Sequence, residues 1–323
     1  MAGIPRVPGT TNLRGELAPQ SLKMVGRWAV GRIGCGLSRL MGSRAGNAFA
    51  ILTYHRVTAK PPKGSAPTWN VPPAVLREQL QGLLARGYRA WPLRQLIEHR
   101  RLGRPIPPRI FVVTFDDGFE NVYSEARPIL RALSVPATVF LATAFLDQSE
   151  PFPFDDWPFA GSSGVPADTW RPLSSAQCGE MLEEGLIDLG SHTHTHAVFR
   201  GDPEAFQQDL AASLTLLRDR FAFTEVPFSY PFGIVEPDLA AAVQRAGVLC
   251  ALSTQSNLVR PQSDPFTWGR FTVMPGDTSV SLVAKLDGWF SLARSAWIRM
   301  RGPKRIDQGP VAAAPTGAPA ETR

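Results

Sequence analysis

The run Ile110-Phe111-Val112-Val113-Thr114-Phe115, followed at once by Asp116-Asp117-Gly118, constrains this chain more than any other stretch. Its apolar and β-branched residues read as a buried strand, and the two carboxylates stand at that strand's end. An apolar interior penalises such groups heavily unless they are paired or bound to a cation. A second cluster, Ser191-His192-Thr193-His194-Thr195-His196, follows another apolar run that ends in Leu189-Gly190. Carboxylates and imidazoles at strand ends are what a divalent metal and an adjacent general base require, so the pattern points to a hydrolytic metalloenzyme.

Around these runs, apolar segments alternate with amphipathic ones. Residues 50–54, 110–115, 137–142, 186–190, 226–230 and 248–253 read as strands. Val75, Leu76, Leu80, Leu83 and Leu84 recur at helical spacing, with Gly87 as the stop, and residues 123–133, 203–221 and 237–246 read as further helices. Strands alternating with helices predict a parallel sheet, and repeated around a circuit they make a (β/α) barrel. With 323 residues, 44% of them apolar, the chain can bury a sizeable core. Cys35, Cys178 and Cys250 are far apart and odd in number, which argues against a disulfide framework or an all-thiolate zinc site.

Residues 146–173 break the rhythm with five prolines and the aromatics Phe152, Phe154, Trp157, Phe159 and Trp170. A loop of this length is functional or disordered, and its aromatic content argues against disorder. It reads as a wall facing a sugar substrate, with Trp157 stacking on the ring; the alternative is that the aromatics pack the loop onto the barrel.

Charge is concentrated at the ends. Residues 1–50 carry seven Lys/Arg and one acid, and residues 289–323 carry six and two, so a net +6 leaves the middle at −4. An enzyme acting on nucleic acid would carry its basic patch around the site, so no nucleic-acid partner is expected. The basic ends fit an anionic membrane surface or solvated tails. Residues 22–41 resemble a basic interfacial helix interrupted by glycines, and there is neither an evident transmembrane run nor a cleavable signal peptide, which leaves the compartment open.

Thr114-Phe115-Asp116-Asp117-Gly118 and His192-Thr193-His194-Thr195-His196 together resemble the first two motifs of the polysaccharide deacetylases, the NodB-homology or carbohydrate esterase family four enzymes. The resemblance covers roughly residues 48–285, between basic extensions at 1–47 and 286–323. It implies a distorted (β/α) barrel that binds one divalent metal, expected to be zinc, and removes N- or O-linked acetyl groups from a glycan or its lipid-linked precursor. By the same resemblance Asp117, His192 and His196 hold the metal, Asp116 is the general base, and His194 stays outside the ligand set.

The third motif departs from the family pattern. In Ser229-Tyr230-Pro231-Phe232-Gly233, serine stands where the family has an arginine that steadies the catalytic aspartate. The oxyanion role falls to the backbone N–H of Phe232, which needs no particular side chain, and Tyr230 is a substrate-binding candidate. Arg270, before the last expected strand, is the candidate to replace the missing cation. No histidine follows His196, whereas Tyr54-His55-Arg56 closes the first strand. This resembles the exopolysaccharide-type branch, in which the barrel is circularly permuted, and makes His55 the proton donor. Loss of the motif arginine leaves a second reading, a glycan-binding pseudoenzyme.

Overall fold

The computed structural model describes residues 36–37, 40–59, 66–290 and 292. The interfacial helix expected over 22–41 falls almost wholly outside the described residues, as does the basic C-terminal tail. Eight strands form one sheet: β1 (Ala50–Tyr54), β2 (Arg89–Ala90), β3 (Ile110–Phe115), β4 (Ala137–Leu141), β5 (Ile187–Ser191), β6 (Phe228–Ser229), β7 (Ala251–Leu252) and β8 (Phe271–Thr272). Their spatial order is β7-β6-β5-β4-β3-β1-β8, with β2 added to β3, and every pairing between them is parallel.

The sheet curves until its ends nearly meet. Trp268 bridges in parallel to Leu252 of β7, and three residues later Phe271 pairs with Leu52 of β1, so one short segment touches both edges. Its backbone bonds run from Ser253 N to Trp268 O at 2.7 Å and from Val273 N to Thr53 O at 2.9 Å. Ile51, Val112, Phe140, Leu252 and Trp268, drawn from distant strands, gather in one cluster on the inner face. Leu52, Val113, Phe115, Val139 and Leu141 point the other way and pack with Leu76, Leu80 and Leu83 of the covering helix.

The helices are α1 (Pro73–Leu84), α2 (Leu93–Arg101), α3 (Arg127–Leu133), α4 (Ser175–Glu183), α5 (Pro203–Phe221), α6 (Pro237–Arg245) and α7 (Ser279–Leu286). The helix expected over 123–133 is split into a π-helical turn, Val122–Ala126, and α3. Pro128 in the first turn of α3 has no N–H to continue an unbroken ladder. Pro227 and Pro231 likewise confine the expected strand 226–230 to the two residues of β6. No helix among the described residues is long and apolar enough to cross a membrane.

Candidate active site

Alternation along β3 sends Val112, Thr114 and Asp116 to the inner face, where Thr114 Oγ1 lies 3.0 Å from Thr53 Oγ1. The strand then breaks: Asp117 has φ 72° and Gly118 has φ 88°. A Cβ at Gly118 would sit 2.7 Å from Leu141 Cδ2, so both space and conformation require glycine there. The break separates the two carboxylates, leaving Asp116 inside the barrel and bringing Asp117 to the histidines.

The histidine cluster is a turn, with Thr193 at φ 64° and His196 at φ 56°. Asp209 of α5 holds it, accepting the backbone N–H of His194 at 2.5 Å and the Thr195 hydroxyl at 2.6 Å. Strand alternation is thereby broken. His194 turns aside, its Nδ1 3.0 Å from Thr143 Oγ1, while the Nε2 atoms of His192 and His196 lie 3.6 and 3.5 Å from Asp117 Oδ1.

These three residues fit one divalent ion. Their donor atoms all lie within 4.8 Å of one another, and ligands about 2.1 Å from a tetrahedral zinc are separated by about 3.4 Å. Nδ1 of His192 donates to Ser229 O at 2.8 Å, which leaves Nε2 with its lone pair. Burial holds both imidazoles below their usual pKa and therefore neutral, as ligands must be. The Asp117 carboxyl is pushed up to about 8 by burial and by the neighbouring Asp116, with Arg56 opposing. A buried carboxylate of this kind lacks a cation, and an ion at this position supplies one.

Asp116 is in the opposite condition. Burial alone would raise its pKa, but the charge of Arg270 and its hydrogen bonds more than offset burial and hold it well below the carboxylate range. Arg270 is fully buried, and its Nη1 and Nη2 each lie 2.7 Å from one oxygen of Asp116. Its remaining donors reach Ser253 O at 3.1 Å, Thr114 Oγ1 at 3.3 Å and Ser229 Oγ at 2.8 Å. Ser229 thus accepts from the arginine that comes from the segment closing the barrel.

His55 follows β1 and is half-buried, its ring stacked on Trp69 at 5.6 Å and 25°. Burial lowers its pKa to about 4, with Asp116 opposing and Arg270 reinforcing. Phe232, at φ 57°, has its ring 4.7 Å from His196 and is 54% exposed. The substrate-binding expectations for Trp157 and Tyr230 are corrected. Trp157 is 3% exposed beneath Arg56, and Tyr230 is 1% exposed among Phe228 and Leu239 with its hydroxyl on Phe266 O, so neither offers a face to a sugar. Trp69, 49% exposed beside His55, was missed because it stands in no motif.

Loop 146–173 is packed onto the barrel by its own aromatics. Phe152 is buried against Phe119 and Phe145, and Asp155 forms a buried ion pair with Arg56. The return leg bonds from Leu173 N to Gly118 O at 2.9 Å and from Glu120 N to Arg171 O at 2.8 Å. Of its aromatics, Phe154 reaches the trio of Asp117, His192 and His196, stacking on His196.

A curved parallel (β/α) barrel with a carboxylate and two imidazoles at its mouth, beside a second carboxylate gripped by arginine, defines a class of hydrolase scaffold suited to one divalent ion. Residues 103–251 match the family model described as polysaccharide deacetylase. It is 28% identical over 262 residues to a poly-beta-1,6-N-acetyl-D-glucosamine N-deacetylase of Staphylococcus epidermidis, covering 75% of this chain and 84% of the relative. The Staphylococcus aureus protein of that name is 21% identical over the same length and coverage. Among solved structures, a deacetylase of Streptococcus pyogenes, PplD in complex with acetate, superposes with a TM-score of 0.62 at 18% identity, covering 74% of this chain and 98% of the other. IcaB from Ammonifex degensii gives 0.60 at 23% identity, covering 78% and 98%. These two share the fold.

Proposed function

We propose that this chain removes N-acetyl groups from an N-acetylhexosamine polysaccharide, using zinc held by Asp117, His192 and His196. The grip of Arg270 on Asp116 carries the reading, because it keeps a carboxylate ionised beside the ligand trio, where a sugar-binding module would have no use for a base. The staphylococcal relatives, described as N-deacetylases of a β-1,6-linked polymer, support an amide substrate within an exopolysaccharide.

A bound divalent ion would polarise the acetyl carbonyl and acidify a water. Asp116 accepts the proton of the attacking water. The backbone N–H of Phe232 faces the developing oxyanion. The proton that Asp116 accepts passes by way of His55, neutral at rest, to the leaving nitrogen. The exposed rings of Trp69 and Phe232 replace Trp157 and Tyr230 as the surfaces on which sugar rings stack.

Acetate release from a β-1,6-linked N-acetylglucosamine oligomer tests this reading. Chelation should abolish it and zinc should restore it, whereas an untouched oligomer in the zinc-loaded protein would overturn the reading. The basic ends support a peripheral site of action at an anionic membrane. Full-length protein should sediment with anionic vesicles at low salt, and a form lacking residues 1–35 should do so more weakly; equal binding would discard the N-terminal anchor.

A further inference from the structure

The two histidines of the metal-binding trio are held in place by different means. His192 is fixed by the hydrogen bond from Nδ1 to Ser229 O. His196 is only 6% exposed, yet its Nδ1 has no hydrogen-bond partner. A ligating histidine ordinarily donates its second N–H to a carbonyl, carboxylate or water, which sets the direction of the ring. Two rings pack against His196 instead: Phe154 stacks at 3.9 Å and 26°, and Phe232 meets it edge-on at 4.7 Å and 62°.

We propose that Phe154 is a positioning residue for His196, fixing by stacking the ring plane that a hydrogen bond fixes at His192. Rotation of the imidazole about its Cβ–Cγ bond would drive an edge into the face of Phe154, so Nε2 stays directed at Asp117. The stacking ring is itself secured on both sides. Two residues earlier, Phe152 is buried with its ring 4.8 Å from Phe119. One residue later, Asp155 pairs with Arg56, whose guanidinium lies 4.0 Å over that same Phe119 ring. Arg56 directly follows His55. The segment 152–155 is therefore a strap running from the end of β1 across to the metal-binding turn, and the aromatic loop contributes to metal affinity without supplying a ligand.

This inference rests on the reading of Asp117, His192 and His196 as a metal centre, and the test separates the two. Metal-free full-length parent, Phe154→Ala, Phe154→Leu and Phe154→Tyr proteins are titrated with zinc against a chromophoric chelator, and the visible spectrum of each is recorded with cobalt. Loss of the stacked ring in Phe154→Ala and Phe154→Leu should weaken zinc binding about 10–100-fold, the scale of a lost outer partner. Phe154→Tyr should bind as the parent does, and the cobalt bands of Phe154→Leu should shift. Leucine keeps an apolar side chain in the gap, so unchanged melting of the metal-free Phe154→Leu protein shows that the fold is retained. Zinc affinity in Phe154→Leu within about twofold of the parent, with an unshifted cobalt spectrum, would overturn the proposal. A parent that binds no zinc would remove the metal centre itself, and this inference with it.

Discussion

Arg270 and Asp116 face each other across the inside of the barrel with two 2.7 Å bonds, and their side chains are 0% and 3% exposed. A buried pair of this kind contributes little over an apolar pair of the same shape, but removing one partner strands the other charge. Arg270→Gln should therefore destabilise the protein by about 3–5 kcal/mol in denaturant unfolding. Adding Asp116→Asn to it should recover part of the loss. An unfolding midpoint for Arg270→Gln equal to the parent's would show that the pair is not coupled.

The turn geometry separates the three histidines of the cluster. His192→Ala and His196→Ala should lose stoichiometric zinc, measured by elemental analysis after dialysis, because each removes one of three donors. His194→Ala should retain zinc, since that ring bonds to Thr143. Full zinc content in His196→Ala would take that residue out of the ligand set.

Asp116→Asn should keep its metal and lose about 10²–10⁴-fold in turnover, the worth of a positioned base. His55→Ala should lose turnover on a comparable scale with unchanged metal content. Near-normal turnover in His55→Ala would mean that another group protonates the leaving nitrogen.

Metal-free protein should show a stability maximum on the pH axis. Half-buried His55 and the buried His192 and His196 are held neutral, below their ordinary value of 6.5, so the unfolded chain binds more protons there and stability rises with pH up to about 6.5. Above that, Asp117 matters: with its folded pKa raised to about 8, the native state holds a proton that the unfolded chain has released, and stability falls as pH rises through that value. Zinc removes this fall by displacing the proton. Calorimetry in buffers of different ionisation enthalpy should record release of about one proton from Asp117 at pH 7, falling to about half at pH 8 and close to none by about pH 9. A pH-independent melting point for the chelated protein between pH 6.5 and 8 would contradict the environment described for Asp117.

Trp69 and Trp157 should separate binding from stability. Trp69→Ala should raise KM for an oligomeric substrate with kcat little changed, as expected for loss of uniform binding. Trp157→Ala should instead cost about 3–5 kcal/mol of stability by opening a cavity. An unchanged KM in Trp69→Ala would return the sugar-facing role to other side chains.

Much of the fold was legible because its signals are local. Residues 50–54, 110–115 and 203–221 follow apolar runs or caps that need no partner to be read, and each is an observed element. The Asp117, His192 and His196 set came from the resemblance of the two motifs to the deacetylases; spacing alone would leave His194 on the same strand face, and only the turn at Thr193 sets it aside. The short helices α2, α4 and α7 were missed, although the Ser174 and Thr278 capping boxes announce the last two. Trp157 was misread because an aromatic residue in a loop looks the same in sequence whether its ring faces solvent or the core. The orientation of Phe154 onto His196 depends on contacts about 40 residues apart in the chain and has no local signature.

The segment that joins both edges of the sheet also sets when the site can exist. During synthesis the chain emerges from its N-terminus, and the strands carrying Asp116, Asp117, His192 and His196 are all made before Arg270. Until residues 268–273 have been translated and seated between Leu252 and Leu52, Asp116 lacks the guanidinium of Arg270 and the barrel remains open along one side. In the growing chain the counter-ion of Asp116 and the strand that closes the sheet therefore arrive together, and after every other part of the site.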